Sequence, residues 1–311
     1  MIENIPRISV RMITYNQEKV IERAINSLLN QKEYLYEICI HDDCSKDTTW
    51  EILLNYAAQY PKLIKVFQNK ENLGIFQNIE ASYEKISGDL VYGLSGDDAC
   101  PDGFFKKLTD FIIKNQIDCV NNKICIYGDC DFVYPDGARV RHTNKIMQKS
   151  KNILSLKIRG LIFRYGACYS RNIIDDFHKL SQGRSYVVEE AQDDQLIVFT
   201  KENYYLPECS YIYYAEYGVS SNLSNKKREE RLGMYDYLLT FLDNVGVKLC
   251  PKDLNYIKYR SLYLQYGYKH EKKILVKSII YFIRSIDFNY GLKGLELGRF
   301  INHLKRIYAR R

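Results

Sequence analysis

The first 115 residues alternate short apolar runs with longer segments whose apolar residues recur at helical spacing. Strands that alternate with helices build a parallel sheet with helices covering its faces. The sequence therefore predicts an α/β fold with a mostly parallel central sheet. The apolar runs, each with the helical segment that follows it, are 8–13 and 20–29, 38–41 and 47–60, 63–67 and 75–86, and 90–94 and 103–115.

After residue 115 the alternation of strands and helices is less regular. We expect extended structure over 119–133, a turn at Pro135-Asp136-Gly137 and then a loop through Ser150. Further expected elements are helices over 172–180 and 193–201, a strand over 211–214, a linker over 220–227, and helices over 229–244, 254–266, 272–286 and 292–308. This pattern divides the chain into a domain over 1–224 and a helical extension over 225–311. The apolar face predicted for helix 272–286 consists of Leu275, Ile279, Phe282, Ile283 and Ile286.

Charge is distributed unevenly between these two parts. Residues 225–311 carry 19 Lys and Arg against 8 Asp and Glu, whereas residues 1–224 carry 26 against 30. A basic extension on a mildly acidic body suggests an anionic partner, although a solvated pair of basic helices gives the same pattern. The nine cysteines show no CxxC pair and no zinc-ligand spacing, which favours reduced thiols over a disulfide or zinc scaffold. With no apolar stretch of about 18 residues and no signal-peptide pattern, we expect a cytoplasmic protein.

Adjacent carboxylates follow two of the predicted strands. Asp42-Asp43 closes the second strand, and Asp97-Asp98 follows the strand that ends at Leu94. Ligands of open α/β sheets bind outside the carboxyl ends of the strands, so both pairs are expected to face one site. Carboxylate oxygens suit a hard divalent cation. Because neither GxGxxG nor GxxxxGK[ST] occurs, a dinucleotide fold and a P-loop NTPase are not supported.

Taken together, these segments resemble glycosyltransferase family 2, the inverting nucleotide-sugar transferases of the GT-A fold. The resemblance rests on six segments in the family's order over about the first 110 residues. They are Ile8-Ser9-Val10-Arg11-Met12-Ile13-Thr14-Tyr15-Asn16, Ser27-Leu28-Leu29-Asn30-Gln31, His41-Asp42-Asp43-Cys44-Ser45-Lys46-Asp47-Thr48-Thr49, Glu71-Asn72-Leu73-Gly74, Ser87-Gly88-Asp89 and Leu94-Ser95-Gly96-Asp97-Asp98. It implies a nucleotide-binding half over 1–115 and an acceptor and catalytic half over 116–224.

The resemblance also implies roles in donor binding. Thr14 and Tyr15 would line the nucleobase pocket, and Asp43 would accept a hydrogen bond from the base, because a carboxylate can read a ring N–H. Asp97 would bind the ribose, and Asp98 would hold Mn²⁺ or Mg²⁺ against the donor diphosphate. The full set expected to contact the nucleotide-sugar is Thr14, Tyr15, Asn16, Glu18, Asp42, Asp43, Asn72, Gly74 and Asp97.

Inverting transfer needs a base for the acceptor hydroxyl, and the family places it at the start of a helix in the second half. We favour Asp194, then Asp193 and then Glu190, although acidic residues also enrich helix N-termini for electrostatic reasons alone.

The chain departs from the family pattern in two places. Ser95 stands where an Asp is frequent, and Ala215 and Tyr217 replace the Arg and His of a Tyr-Arg-x-His element. Basic residues that could substitute for them at the diphosphate are Lys226, Lys227 and Arg228.

The resemblance implies an inverting, metal-dependent glycosyltransferase that moves a sugar, UDP-linked by preference, to a glycan or lipid-linked saccharide in bacterial-type surface polysaccharide synthesis. The alternative is a catalytically weak binding or scaffold subunit, recruited to a membrane or partner by residues 225–311. That extension could dock on the catalytic domain, form a homo-oligomer, or lie on an anionic membrane at its cytoplasmic face. A nucleic-acid partner is not expected. The tyrosines at 204, 205, 211, 213, 214 and 217 suit either a carbohydrate cleft or a half-buried strand.

Overall fold

The computed structural model describes residues 5–148, 152–163, 165–181, 196–215, 235, 238–269, 271–286 and 301. The chain forms two compact units. The first comprises Met1–Lys151 and Ile162–Leu223, and the second comprises Asn152–Leu161 and Ser224–Arg311. The structure therefore adds a short inner segment to the second unit, while the functional division at residue 224 stays a prediction.

One eight-stranded sheet forms the first unit, in the order β3-β2-β1-β4-β7-β5-β6, with β8 also pairing with β5. Strands β3, β2, β1 and β4 run parallel, and β8 runs parallel to β5. Strand β7 is antiparallel to both β4 and β5, and β6 is antiparallel to β5. The strands are β1 Ile8–Thr14, β2 Glu37–Asp42, β3 Ile64–Gln68, β4 Leu90–Ser95, β5 Ile124–Val133, β6 Arg139–His142, β7 Cys168–Ser170 and β8 Glu202–Tyr214.

Helices cover the sheet where the hydrophobic periodicity predicts them. Helix α1 buries Ile21, Ala24, Ile25 and Leu28 against the strands, as its apolar stripe requires. The mixed α/β class with a mostly parallel sheet is thus confirmed. Helices of the first unit include α1 Ile21–Leu29, α2 Thr49–Gln59, α3 Ile75–Tyr83, α4 Phe104–Lys114 and α6 Arg171–Ser181. Helices of the second unit include α5 Ile153–Ile158, α7 Pro251–Lys269 and α8 Lys272–Ser285.

The loop expected up to Ser150 is wrong in part, because residues Arg139–His142 form strand β6. This strand pairs with β5, and Asp131 on β5 binds the side chains of Arg139 and Arg141. Its composition reads as a loop because an edge strand exposes most of its side chains to water, and Arg139, Val140 and Arg141 are all exposed.

A buried ion pair links three helices of the second unit. Arg159, which follows α5, is fully buried and donates from Nε to Oδ1 of Asp253 at 2.8 Å and from Nη1 to the carbonyl of Ser285 at 2.9 Å. These contacts join α5 to α7 and α8. Among the described residues, no helix is both long and apolar enough to cross a bilayer.

The apolar face predicted for helix α8 is wrong at Ile283, which is 59% exposed. The face that packs instead contains Ile274, Ser278, Phe282 and Ser285. Small serine side chains allow close helix packing, so the buried face of α8 centres on Ser278 and Ser285. The positions of the apolar residues alone therefore did not predict which side of the helix is buried.

Candidate active site

Three parallel strands end side by side at the edge where the acidic residues lie. The β1 register pairs Thr14 with Asp42 on β2 and Ile13 with Ser95 on β4. Backbone hydrogen bonds extend this pairing beyond the strands. The N–H of Asp43 donates to the carbonyl of Thr14 at 3.0 Å, and the N–H of Gly96 donates to that of Ile13 at 2.9 Å. The two acidic turns therefore flank the end of β1, as their positions after parallel strands predict.

Asp98 is buried, at 2% exposure, and both of its carboxylate oxygens accept hydrogen bonds from β8. The Tyr211 hydroxyl donates to Oδ2 at 2.7 Å, and the N–H of Tyr214 donates to Oδ1 at 2.8 Å. Burial, reinforced by the neighbouring charge of Asp97, raises the pKa of Asp98 to about 7 in spite of these bonds. Asp97 is 8% exposed, and burial raises the pKa of its carboxyl as well.

This pair fits a hard divalent cation that is shared with a ligand. Two adjacent buried carboxylates repel each other, and a cation would relieve that repulsion and offset the cost of their burial. Over the described residues, no three Asp, Glu, His or Cys side chains converge to form a protein cage. A cation here would therefore draw further ligands from water and bound phosphate oxygens, which is the usual arrangement for Mg²⁺.

Arg23 of helix α1 reaches the same corner, and the sequence did not single it out. Its guanidinium lies 3.6 Å from the centre of the Tyr214 ring and donates a hydrogen bond to the carbonyl of Asp97. It thereby places a cation next to the carboxyl end of β8, directly before Ala215. No sequence signal joins α1 to β8, because their contact depends on the order of strands in the sheet.

Asp42 and Asp43 are held by neighbouring loops. Asp42 is fully buried and accepts hydrogen bonds from the Ser45 N–H and from Gln68 Nε2, both at 2.9 Å. Asp43 accepts from Asn69 Nδ2 at 2.8 Å and from the N–H groups of Leu73 and Gly74, both at 2.9 Å. A carboxylate offers about four lone-pair positions, so Asp43 keeps one for a ligand.

These bonds bring Asn72 and Gly74 to the end of β2, since Asp43 accepts from the backbone N–H groups of Leu73 and Gly74, which directly follow Asn72. Gly74 adopts a φ of 85°, a conformation that favours glycine, and stands directly before α3. The two residues thus lie in the turn that the predicted base-reading carboxylate anchors. Their role in donor binding stays a prediction.

The turn after β1 holds the remaining predicted donor contacts. Thr14 is buried, whereas Tyr15 is 42% exposed and could lie against a flat ring. Asn16 accepts a hydrogen bond from the Lys46 N–H at 2.7 Å, and Glu18 accepts from the Thr48 N–H at 3.0 Å. Asn16 and Glu18 therefore join this turn to the one after β2. They also line a shallow cavity of about 230 Å³ together with Gln17, Lys19, Val20 and Asp47.

The predicted base and its neighbours lie outside the described residues. Asp194, Asp193 and Glu190 fall within 182–195, and Tyr217, Lys226, Lys227 and Arg228 fall within 216–234. Their roles stay predictions. The structure describes helical residues 196–199 just after the first of these ranges and then strand β8.

An α/β sheet of this order, with paired acidic turns at its carboxyl edge, has the arrangement of the GT-A glycosyltransferase fold. The model of Glycosyl transferase family 2 matches residues 9–177, more than half of the chain. The chain belongs to glycosyl transferase family 2.

Individual relatives agree with this membership. The putative glycosyltransferase EpsE of Bacillus subtilis (strain 168) is 32% identical over 111 residues, 36% of this chain and 40% of EpsE. The chain thus spans well under two thirds of the length of this relative. Residues 1–349 of S. aureus TarS in complex with UDP-GlcNAc superpose with a TM-score of 0.63 at 19% identity, covering 91% of this chain and 82% of that one. The mannosyltransferase PcManGT from Pyrobaculum calidifontis, in complex with GDP-Man and Mn²⁺, gives a TM-score of 0.53 at 12% identity, covering 100% and 82%.

Proposed function

We propose that this protein is an inverting glycosyltransferase that uses Mg²⁺ or Mn²⁺ and a nucleotide-sugar donor. The observation that carries the proposal is the buried Asp97-Asp98 pair at the end of β4. Family membership and the donors bound to structurally similar proteins support it. We favour a UDP-linked sugar and a glycan or lipid-linked saccharide acceptor, as in bacterial surface polysaccharide synthesis. Because the similar structures hold either UDP-GlcNAc or GDP-Man, the fold itself is compatible with both nucleotides.

In the proposed reaction, the acceptor hydroxyl oxygen bonds to the anomeric carbon from the face opposite the diphosphate. The bond between the anomeric carbon and the diphosphate oxygen breaks, and its electron pair leaves with the nucleoside diphosphate. The hydroxyl proton passes to a carboxylate, for which we propose Asp194, with Asp193 and Glu190 as the alternatives. Asp97 would hold the ribose, and Asp43 would accept from the base. A cation bound by Asp98 would neutralise charge on the diphosphate.

A donor screen with two variants tests this proposal. Purified protein is incubated with UDP-, GDP-, dTDP- and CDP-sugars and Mn²⁺, and release of nucleoside diphosphate is measured. We expect Asp98→Ala to lose at least about 100-fold in turnover, the scale on which enzymes lose a key electrostatic group. Asp102→Ala removes an exposed carboxylate four positions further on and should match the wild type. Full activity of Asp98→Ala would refute the proposed cation role.

Asp194→Asn tests the proposed base separately. We expect it to keep the nucleotide affinity of the wild type while transfer falls by about 100-fold or more, the usual contribution of a general base. Transfer at the wild-type rate would move the role to Asp193 or Glu190. If no donor is turned over by the wild-type protein, the binding or scaffold alternative is favoured instead.

For the basic extension we propose contact with an anionic membrane at its cytoplasmic face. Helix α8 exposes Val276, Ile280 and Ile283 at 55%, 43% and 59%. Lys273, Lys277 and Arg284 are exposed on the same side of the helix. Apolar residues interspersed with cations suit a bilayer interface that carries negative charge. Pairing of this face with a second copy would bring like charges together, so homo-oligomerisation is the less favoured outcome.

Vesicle flotation tests the membrane contact. The wild type should float with vesicles containing phosphatidylglycerol and remain below with pure phosphatidylcholine. Ile280→Glu should reduce flotation, whereas Ile113→Glu, at a residue on α4 that is 45% exposed, serves as the matched control. Equal flotation of both variants would exclude this face. Light scattering on the same two variants and the wild type, without vesicles, reports whether Ile280→Glu instead dissociates an oligomer.

A further inference from the structure

Strand topology brings one exposed tyrosine to the acidic strand end. Strand β7 is antiparallel to β4, with Cys168 opposite Tyr92 and Ser170 opposite Leu90. Residues that precede an antiparallel strand lie beside residues that follow its partner. Tyr165 precedes β7 by three positions and therefore reaches the same edge as Asp98.

The ring contacts of Tyr165 confirm this placement. Its ring centre lies 5.4 Å from that of Tyr211 and 5.4 Å from that of Tyr213, with interplanar angles of 38° in both cases. Tyr211 in turn donates its hydroxyl hydrogen bond to Asp98 at 2.7 Å. Only one side chain thus separates the Tyr165 ring from the carboxylate that we propose for the cation.

The backbone on both sides of Tyr165 is firmly fixed. The buried Asn144 side chain accepts from the Phe163 N–H at 2.7 Å and donates to the Phe163 carbonyl at 2.6 Å. Gly166 has a φ of 68°, and a Cβ there would lie 2.5 Å from the Ser210 carbonyl oxygen, so the close packing requires glycine. The Ser210 hydroxyl also donates to the Tyr165 carbonyl at 3.3 Å.

Despite this anchoring, the Tyr165 side chain remains 42% exposed. An aromatic ring that packs against other rings on one side and exposes much of its surface to solvent can bury that surface against a ligand. Preorganised aromatic surfaces beside a few polar groups are typical of ligand sites. Tyrosine suits a sugar in particular, because its ring face is apolar and its hydroxyl can form hydrogen bonds.

The position of Tyr165 relative to the proposed nucleotide contacts indicates whether the bound sugar belongs to the donor or to the acceptor. In the sheet order, β2 and β1 lie on one side of β4, and β7 lies on the other. Asp43 and Tyr15, the proposed base contacts, follow β2 and β1, whereas Tyr165 precedes β7. Tyr165 is therefore on the side of Asp98 opposite the nucleobase.

We infer that Tyr165 forms a stacking platform for a pyranose ring of the acceptor, with Tyr211 and Tyr213 supporting it from behind. The inference rests on the proposed transferase function and names the acceptor's binding surface. It also assigns Tyr211 two functions, since one tyrosine would support the acceptor platform and orient the Asp98 carboxylate.

Acceptor kinetics test the platform with the full chain, using the donor found in the screen and a panel of methyl and p-nitrophenyl glycosides as acceptors. We expect Tyr165→Ala and Tyr165→Leu to raise the ratio of acceptor KM to donor KM about tenfold, the scale of one aromatic contact. Tyr165→Phe retains the ring and should stay within about twofold of the wild type. The matched control is Tyr36→Ala, at a tyrosine that is 43% exposed and directly precedes β2, at the edge of the sheet opposite the site.

Several outcomes would overturn the inference. One is an unaltered ratio of acceptor KM to donor KM in Tyr165→Leu. This variant keeps apolar bulk at the position and therefore serves as the test if Tyr165→Ala fails to fold. Another is a tenfold rise in the same ratio in Tyr36→Ala. If the wild type turns over no donor, the transferase proposal fails, and glycoside binding is then measured directly by ligand-observed NMR. Weaker binding by Tyr165→Leu than by the wild type would still support the platform, and equal binding would refute it.

Discussion

Asp43 allows the predicted base-reading role to be separated from a role in holding the fold. Its carboxylate is 3% exposed and accepts three hydrogen bonds from the loop that precedes α3. Asp43→Asn keeps an oxygen that can serve Asn69 and Leu73 but turns an amide NH₂ toward the N–H of Gly74. A hydrogen bond to a charged group contributes about 1.5–3 kcal/mol, and an unmatched buried donor costs about 1–3 kcal/mol. We therefore expect the free energy of unfolding to fall by about 2–4 kcal/mol.

Asp118 provides the matched control. Its carboxylate also accepts three hydrogen bonds, from Val120 N, Asn121 N and Asn121 Nδ2 at 3.1, 2.9 and 2.9 Å, but the residue is exposed. Water can replace what Asp118→Asn removes, so we expect a loss of no more than about 0.5–1 kcal/mol. Urea denaturation measures both variants, and an unaltered m-value shows that the midpoints report stability. Equal losses at the two sites would refute the reasoning from burial.

The proposed base-reading role of Asp43 also predicts how Asp43→Asn changes the affinity for different nucleotides. Uracil, thymine and guanine carry a ring N–H that a carboxylate can accept from, whereas the ring N3 of cytosine is an acceptor. At a temperature where the variant is fully folded, its affinity should fall more for UDP, GDP and dTDP than for CDP. A uniform fall would mean that Asp43 acts on the nucleotide only by fixing the loop around Asn72 and Gly74.

Three other predictions concern single residues. Gly96→Ala would place a Cβ 2.3 Å from Gln17 Oε1 and 2.7 Å from Ile21 Cδ1, so we expect the Asp97-Asp98 turn to shift and turnover in the donor screen to fall about tenfold or more. Arg159→Met leaves the buried Asp253 carboxylate without its ion pair and should cost about 3–5 kcal/mol by urea denaturation, with partial recovery in Arg159→Met/Asp253→Asn. Burial lowers the pKa of His41 to about 4, whereas an unfolded histidine titrates near 6.5, so its contribution is present above pH 6.5 and is lost as the pH falls toward 4. This amounts to about 3 kcal/mol, and a His41→Gln variant should show a flatter dependence of unfolding free energy on pH over that range; an identical slope would contradict the assignment.

The elements that were predicted well are those whose signal is local. Helix α1 buries the stripe that its spacing indicates, and strands β1, β2 and β4 lie where the apolar runs are. Strand β7 was missed because three residues carry no measurable periodicity, and β6 was missed because three of its four residues are polar and most of the strand is exposed. Yet β7 brings Tyr165 to the site, so the strand with the weakest sequence signal has a large effect on which residues form the site.

Parallel strands joined by helices present their carboxyl ends on the same side, so the sequence was sufficient to predict that Asp42-Asp43 and Asp97-Asp98 share one edge. Which distant residues meet these carboxylates follows from the tertiary contacts alone. Tyr211 reaches Asp98 across 113 positions, and Arg23 reaches Asp97 across 74. Such contacts depend on the order of strands in the sheet, and no local pattern of side chains encodes that order. Periodicity sets each element and its buried face, whereas long-range pairing sets the environment of each carboxylate and with it the chemistry available to the site.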